Sequence, residues 1–361
     1  MDAVERIRAW LEEKDYDGVL LNRRDNYAWI SKGAENNVVD NSENGAAYYV
    51  IRRDGIDLLA DSSDLSRMDE EQNPLGGKPV LIPWYEPKEL YIADHIRRGR
   101  FVSDTGIAGT VNVQEELVDL RLKLTEDEVR RYEEAGALCA HIVEGVCREA
   151  EPGMTEVEAA NMLRCRCISQ GISPDCVLVG SDERIFSYRH PVPTGEKIEN
   201  SLMVVLGGEK YGLNVSLTRM VYFAPVPEHI MERYEKTQYI FACMQMMMRE
   251  GLTYKEYFQN VMELYREAGY GGEWKMHHQG GPAGYGCREF IVTPDSSKTI
   301  HTGQAYAWNP TILGTKCEET TFLDEDGLRI LTKTSKWPRR IINTPYGRTE
   351  AAEILERQPG I

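Results

Sequence analysis

The first 120 or so residues alternate short blocks of hydrophobic and polar positions, as an α/β layer does. Asp2 can cap a first helix, in which apolar side chains recur at helical spacing: Val4, Ile7, Trp10 and Leu11. Apolar runs typical of strands follow at residues 18–21, 47–51, 57–60, 79–82 and 100–103. The pattern predicts an α/β domain over residues 1–122.

The pattern changes after this point, because two capping boxes open longer helices. They are Thr125–Glu128 and Thr155–Glu158. Further strands are expected at 176–180, 202–206 and 217–223, helices at about 227–249 and 254–268, and a last group of strands from about 288 to 333. We therefore expect a second domain over residues 123–361, and an α/β (α+β) fold class overall.

The charge and the cysteines narrow the classes of function. The 361 residues include 42 Lys and Arg against 58 Asp and Glu, a formal net charge of −16, which argues against nucleic acid as a partner. The sequence lacks a run of about 18 apolar residues, so we expect no membrane partner and a cytoplasmic protein. The eight cysteines form no Cys-x-x-Cys pair and are expected to be reduced thiols.

A histidine between turn-forming residues is the first candidate for chemistry. His190 lies in the segment 188–195, shortly before a strand of buried character. The ordinary pKa of histidine is near neutrality, so His190 is a candidate general acid or base. The alternative is an ordinary loop histidine on the surface.

A glycine-rich segment over residues 276–289 is the second candidate, because glycines let the backbone approach a ligand closely. It carries the potential donors His277, His278, Gln279 and Arg288. The alternative is a glycine-rich turn.

Other polar groups stand out at Ser216, Thr218, Asn309 and Glu318, although each alone is more often structural. Alternation over 316–323 predicts that one of the carboxylates Glu318 and Glu319 faces inward and the other faces solvent.

In this order and spacing, the motifs resemble those of the creatinase/prolidase/methionine aminopeptidase family. The resemblance covers nearly the whole chain and implies a creatinase-type N-terminal domain followed by a two-fold pseudosymmetric "pita-bread" catalytic domain. Its specific part is four segments: His190–Leu206, Ser216–Arg219, Gly280–Gly284 and Asn309–Pro310 with Glu318.

The peptidases of that family hold two divalent metal ions with two Asp, one His and two Glu. The resemblance places these five positions at Gly207, Ser216, Gly281, Asn309 and Glu318. Only one of the five is a carboxylate, whereas a dinuclear hydrolytic site needs several. We therefore predict a site with no metal and no other cofactor.

A metal-free branch of the family, creatinase and its relatives, gives the main functional prediction. It is a metal-independent, creatinase-like hydrolase acting on an amide or amidine-type C–N bond of a neutral or anionic small molecule. His190 would be the general acid and base, and Glu318 would orient the substrate or the imidazole. The expected substrate-binding residues are Tyr188, Ser216, Thr218, His277, His278, Gln279, Arg288 and Asn309.

Three alternatives remain open from the sequence. One is an Xaa-Pro aminopeptidase or dipeptidase-like metallopeptidase, and another is a non-catalytic pita-bread binding protein. The third is a lyase that uses the same base. The family also implies a homodimer.

Overall fold

The computed structural model describes residues 1–358, and the chain divides into two compact units, Met1–Thr125 and Glu126–Ile361. The boundary predicted near residue 122 follows a helix that ends at Arg121. Within the described part of the chain, no helix is long and apolar enough to cross a lipid bilayer.

The N-terminal unit is built on one six-stranded sheet. Its strands are β1 (Gly18–Arg23), β2 (Asn44–Arg52), β3 (Ile56–Asp61), β4 (Lys78–Ile82), β5 (Phe101–Ser103) and β6 (Val111–Asn112), in the spatial order β4-β3-β2-β1-β5-β6. Its helices are α1 (Ala3–Glu13), α2 (Arg24–Ile30), α3 (Leu65–Glu71), α4 (Lys88–His95) and α5 (Gln114–Arg121). Asp2 and Glu5 form a complete capping box at the start of α1, and the helix buries Ile7, Trp10 and Leu11.

The C-terminal unit begins with two long helices and alternates helices and strands from there. Its helices are α6 (Glu126–Glu149), α7 (Glu156–Ser169), α8 (Glu183–Ser187), α9 (Glu228–Met246) and α10 (Tyr254–Glu267), with a 3-10 turn at Glu273–Met276. Its strands are β7 (Ser173–Ser181), β8 (Ser201–Lys210), β9 (Leu213–Tyr222), β10 (Gly280–Ala283), β11 (Gln304–Trp308), β12 (Thr311–Ile312), β13 (Thr315–Lys316), β14 (Glu319–Asp324), β15 (Gly327–Ile330), β16 (Arg339–Thr344), β17 (Gly347–Ala352) and β18 (Leu355–Glu356).

Two four-stranded sheets form the frame of this unit, in the orders β18-β9-β8-β7 and β10-β11-β14-β15. Helix α6 packs on β8 and β9, and α7 packs on β7. Helices α9 and α10 share a hydrophobic core with β11, around residues such as Tyr257 and Trp308. Two hydrogen bonds of the Thr320 side chain in β14 join this sheet to β9 of the other. Thr320 Oγ1 accepts from Ser216 N at 2.8 Å and donates to Ser216 O at 3.0 Å.

The last group of strands, predicted from about 288 to 333, begins later than predicted: β11 to β15 run from Gln304 to Ile330. Within the described chain, residues 284–303 contain no strand or helix, only bends, turns and an isolated bridge at Thr299. The apolar run at 290–292 is short and is followed by Pro294 and two serines, which interrupt strand pairing. The strands β16 to β18 lie beyond the predicted group, and the sequence of β16, Arg-Arg-Ile-Ile-Asn-Thr, shows no alternation of apolar and polar positions.

Candidate active site

A cleft of about 300 Å³ lies beside the first sheet of the C-terminal unit. Such a volume suits a small ligand. The cleft is lined by Cys176, Leu178, His190, Val205, Leu206, Gly207, Ser216, His278, Cys287, Arg288, Ile291, Asn309, Lys316 and Glu318.

One wall of the cleft is a row of residues that pair across three antiparallel strands. Cys176 of β7 is paired with Gly207 of β8, and Gly207 is paired with Ser216 of β9. Thr218 lies two residues further along β9, on the same face as Ser216 because side chains alternate in a strand. The sheet therefore presents small and polar side chains to the cleft at this level.

Glu318 is the buried carboxylate of the cleft, and two cations hold it. Its Oε1 accepts from Arg288 Nη2 at 3.1 Å, and its Oε2 lies 2.9 Å from Lys316 Nζ and 2.8 Å from Thr218 Oγ1. Burial alone would raise the pKa of Glu318, but Lys316 and Arg288 lower it to about 2. Glu318 is therefore ionised at neutral pH.

The remaining carboxylate of this segment does not face solvent, contrary to the alternation-based prediction. Glu319 is buried and is paired with Arg219 at 3.2 Å and with Arg339 at 2.9 Å. The two arginines are also almost fully buried and supply the charge that makes this burial tolerable.

Arg288 connects two walls of the cleft and keeps a free donor. Its Nη1 donates to Ser216 Oγ at 2.9 Å, while its Nε has no hydrogen-bond partner among the described residues. Two cations, Arg288 and Lys316, thus face the single carboxylate of Glu318. The charged side chains of the cleft leave one positive charge in excess.

Two histidines meet at the edge of the cleft. His190 Nε2 and His277 Nε2 are 2.9 Å apart, a hydrogen-bond distance. Burial and the nearby Lys316 lower the pKa of His277 to about 3, and the same two causes lower the pKa of His190. Both imidazoles are therefore neutral at pH 7, so one proton lies between the two facing nitrogens.

The surroundings of His277 indicate which ring carries that proton. His277 Nδ1 is buried without a hydrogen-bond partner among the described residues. A buried N–H without an acceptor costs more than a lone pair left without a donor. The favoured tautomer therefore has the proton on His277 Nε2, which donates to Nε2 of His190. His190 then carries its own proton on Nδ1 and can donate from that atom.

His278 and Asn309 also line the cleft. The His278 ring stacks on that of His277 with centroids 4.5 Å apart, and burial followed by Arg288 lowers its pKa to about 4. Asn309 Oδ1 is buried and has no partner among the described residues. Both side chains are available to a ligand as neutral hydrogen-bonding groups.

Four of the predicted binding residues do not line this cleft: Tyr188, Thr218, His277 and Gln279. Gln279 is fully buried, where its Oε1 accepts from Tyr265 at 2.8 Å and its Nε2 donates to the His277 carbonyl at 2.7 Å. Tyr188 is exposed and borders a separate, much smaller cavity. The Gln279 amide is therefore used inside the fold, because both its oxygen and its nitrogen are already hydrogen-bonded there. Thr218 acts through Glu318.

Besides apolar residues, three cleft residues that carry a thiol or a charge were not singled out from the sequence: Cys176, Cys287 and Lys316. Lys316 lies two residues before Glu318, and in a regular strand this spacing would have placed both side chains on one face. Residues 317–318 fall outside the strands, however, so simple alternation does not apply there. The cysteines carry no such signal.

The donor set does not fit the pair of divalent metal ions that the resemblance implies. Among residues 1–358, no group of three or more His, Cys, Asp and Glu side chains could hold a metal ion. At Gly281 a Cβ would lie 2.3 Å from the Phe290 carbonyl oxygen, so no side chain fits there. Glu318 is already held by Arg288 and Lys316.

The chain is similar along nearly its full length to a curated archaeal relative. An Xaa-Pro dipeptidase from Pyrococcus horikoshii is 23% identical over 354 residues, which are 93% of this chain and 98% of that protein.

Solved structures agree on the fold. The prolidase from Pyrococcus horikoshii OT3 has a TM-score of 0.76 at 20% identity, covering 92% of this chain and 98% of its own. An Xaa-Pro dipeptidase from Bacillus anthracis has a TM-score of 0.75 at 18% identity, covering 98% and 99%. The predicted fold class, an N-terminal α/β domain followed by a pita-bread domain, is confirmed.

The main functional prediction, a metal-independent creatinase-like hydrolase, is wrong. The relative that aligns over nearly the whole chain is named an Xaa-Pro dipeptidase, and so the Xaa-Pro dipeptidase alternative is better supported. Arg288, the feature that favoured creatinase, is explained in the structure by its bonds to Ser216 and Glu318.

The motifs of the C-terminal unit also match a known protein family. A family model described as metallopeptidase family M24 matches residues 130–331. This match spans more than half of the 361 residues and includes every residue that lines the cleft. The chain belongs to metallopeptidase family M24, as its motifs predicted.

Proposed function

We propose that this chain is an Xaa-Pro dipeptidase-like hydrolase that cleaves the C–N bond of small peptide-like substrates. The observation that carries the proposal is the alignment of 93% of the chain with 98% of a relative named Xaa-Pro dipeptidase. The matched family model, which spans the cleft, supports the same class of activity.

The charges of the cleft support a substrate with a free carboxylate. Arg288 and Lys316 carry two positive charges, Glu318 carries one negative charge, and the neighbouring histidines are neutral at pH 7. Arg288 Nε is an unused donor that a carboxylate can accept from. A dipeptide supplies such a group at its C-terminus.

The neutral groups of the cleft suit the amide of the substrate. Asn309 offers an amide without a partner at its oxygen, and His190 offers an N–H at Nδ1. A donor aimed at a departing nitrogen or at a developing oxyanion lowers the barrier of amide hydrolysis. Because the donor set does not fit the metal pair of the family, no step is assigned to a metal ion.

The test compares Xaa-Pro dipeptides with their C-terminal amides. Gly-Pro and Ala-Pro, and the same peptides amidated, are incubated with the purified chain in EDTA and with added Mn²⁺, Co²⁺ or Zn²⁺ singly. Released proline or prolinamide is measured. We expect hydrolysis of the free dipeptides under at least one condition, with the amides much poorer. Absence of dipeptide hydrolysis under every condition would overturn the proposal.

A variant of Arg288 measures the contribution of this cation to substrate binding. Arg288→Gln is expected to raise KM for the dipeptide by roughly tenfold or more, because it removes a charged hydrogen bond to the carboxylate. Arg329→Gln is the matched control, since Arg329 is about half exposed and pairs with Glu133 and Asp324 outside the cleft. An equal KM in the two variants would argue against carboxylate binding at Arg288.

A second function is favoured by the positions of the family's metal ligands, which the resemblance places at Gly207, Ser216, Gly281 and Asn309. A chain with this donor set could bind dipeptides without cleaving them. Calorimetry distinguishes the two functions: binding of Gly-Pro that persists without release of proline under all metal conditions would favour the binding protein.

The compartment and the assembly are also proposals. All eight cysteines are free, which supports a reducing compartment such as the cytoplasm.

The homodimer predicted from the family is tested by the molar mass in solution, where a mass near twice 41.1 kDa supports it and a monomer contradicts it.

A further inference from the structure

The histidine at the cleft edge lies on a segment with little backbone support. His190 falls between the end of α8 and the start of β8, with a proline directly after it. For residues 189–191, the hydrogen bonds in the described structure are made by side chains: Arg189 to Glu273 and Thr311, and His190 to His277. The position of His190 therefore depends on side-chain contacts.

Arg189 makes the stronger of these attachments. Its Nη2 donates to Glu273 Oε2 at 2.5 Å, and its Nη1 donates to Thr311 Oγ1 at 2.8 Å. The two charged side chains are only 14% and 24% exposed. An ion pair with this geometry and partial burial restrains its partners more than an exposed pair does.

Glu273 connects Arg189 to the segment that carries the second histidine. It opens the 3-10 turn Glu273–Met276, and His277 follows that turn directly. The same Oε2 atom also accepts from Leu313 N at 2.9 Å, in the connection between β12 and β13. One carboxylate thus joins three segments, those that carry His190, His277 and Lys316.

We propose that Glu273 and Arg189 are positioning residues that hold His190 against His277 at the edge of the cleft. Neither residue lines the cleft, so both act through the histidines. The inference rests on the proposed function only for its consequence in catalysis. The geometry of the histidine pair can be measured without any substrate.

The test is a pH titration of the histidine rings by NMR in protein with labelled histidine. The chain has seven histidines, and spectra of the His190→Gln and His277→Gln variants assign the two signals. In the native chain both rings are expected to titrate below the ordinary value for histidine. In Glu273→Ala the His190 segment loses its attachment, and we expect the pKa of His190 to rise toward the ordinary value.

Two further variants keep the result interpretable. Glu273→Gln preserves the shape of the side chain and removes only its charge. We expect it to move the pKa of His190 in the same direction as Glu273→Ala does, so the result does not depend on whether the alanine variant folds. Glu263→Ala is the matched control, because Glu263 also pairs with an arginine, Arg266, three residues along the exposed face of α10. Titration curves of Glu273→Ala and Glu273→Gln that superimpose on the native curves would overturn the proposal.

The kinetic consequence is measured separately on Gly-Pro. A displacement of the histidine pair is expected to lower kcat by roughly tenfold or more, with a smaller change in KM because Arg288 and Lys316 are untouched. If the chain hydrolyses no dipeptide, the proposed function fails while the titration still decides the positioning role. If dipeptides are hydrolysed and Glu273→Gln keeps the native kcat, the positioning role fails alone.

Discussion

At the scale of single residues, the site depends on how each charge is compensated. Glu318 has both oxygens held by cations, so it is tied to Arg288 and Lys316 and is not free to act as a base. His190 and His277 are neutral because burial and Lys316 disfavour their charged forms. Among these groups, His190 remains the candidate for proton transfer in the cleft.

His190→Gln tests this assignment in the proposed reaction. We expect kcat on Gly-Pro to fall by roughly 10²-fold, as is typical for loss of a proton-transferring group, while the thermal unfolding temperature changes little because His190 is only partly buried. His229→Gln, at an exposed position of α9, is the control and should keep full activity. A native kcat in the His190 variant would remove this residue from the chemistry.

Much of the site could be predicted from residue types and motif order. The residues His190, Ser216, His278, Arg288, Asn309 and Glu318 were selected from the sequence, and all of them line the cleft. Gln279 was selected for its donors, yet its amide is used inside the core by Tyr265. The sequence does not reveal such a partner, because Tyr265 comes from a different helix and meets Gln279 only through tertiary packing.

At the scale of elements, local signals located most of the helices and strands. The predicted capping box at Thr155–Glu158 is complete in the structure, with both side-chain-to-backbone bonds present at the start of α7. The segment 284–303 was the main error. Its apolar residues pack against the α9–α10 core, as Val292 and Phe290 do, without forming a strand. Hydrophobicity predicted its burial, but only tertiary contacts decide its backbone conformation.

Gly281 in β10 offers a test of how tightly this segment packs. Gly281→Ala is expected to lower the free energy of unfolding by about 1–3 kcal/mol or more, because its Cβ would lie 2.3 Å from the Phe290 carbonyl oxygen. Gly195→Ala is the control, since nothing lies within 4 Å of the added methyl group, and a change within about 0.5 kcal/mol is expected. Denaturant unfolding measures both. Equal stability of the two variants would contradict the close packing at Gly281.

At the scale of the whole molecule, the net charge and the local charge have opposite signs. The chain carries a formal charge of −16, whereas the charged side chains of the cleft leave one positive charge in excess. Overall composition argues against nucleic acid as a partner, but it could not predict the sign of the charge in the cleft. That sign depends on which charged residues the fold brings together, here Arg288, Lys316 and Glu318 from separate segments.

The buried histidines make the stability of the folded chain sensitive to acid. The pKa of His277 is about 3 in the folded chain and 6.5 when the chain is unfolded, so between these values the unfolded state binds a proton that the folded state does not. Stability is therefore retained above pH 6.5 and is lost as the pH falls below it. At pH 5 His277 alone should cost about 2 kcal/mol relative to pH 7.

The measurement is denaturant unfolding at pH 7 and pH 5 for the native chain and for His277→Gln. The variant should lose about 2 kcal/mol less than the native chain over this interval. His229→Gln, which removes an exposed histidine, should behave as the native chain does. An identical pH dependence in the native chain and in His277→Gln would show that His277 is not held neutral by the fold.

The close packing around Gly281 also bears on any attempt to engineer a metal ligand into the cleft. The family resemblance places a metal-binding histidine at this position, and here the Phe290 carbonyl occupies the space that its side chain would need. Histidine introduced at this position alone would meet the backbone of Phe290. A design that restores this ligand would therefore have to reshape the segment around Phe290 first.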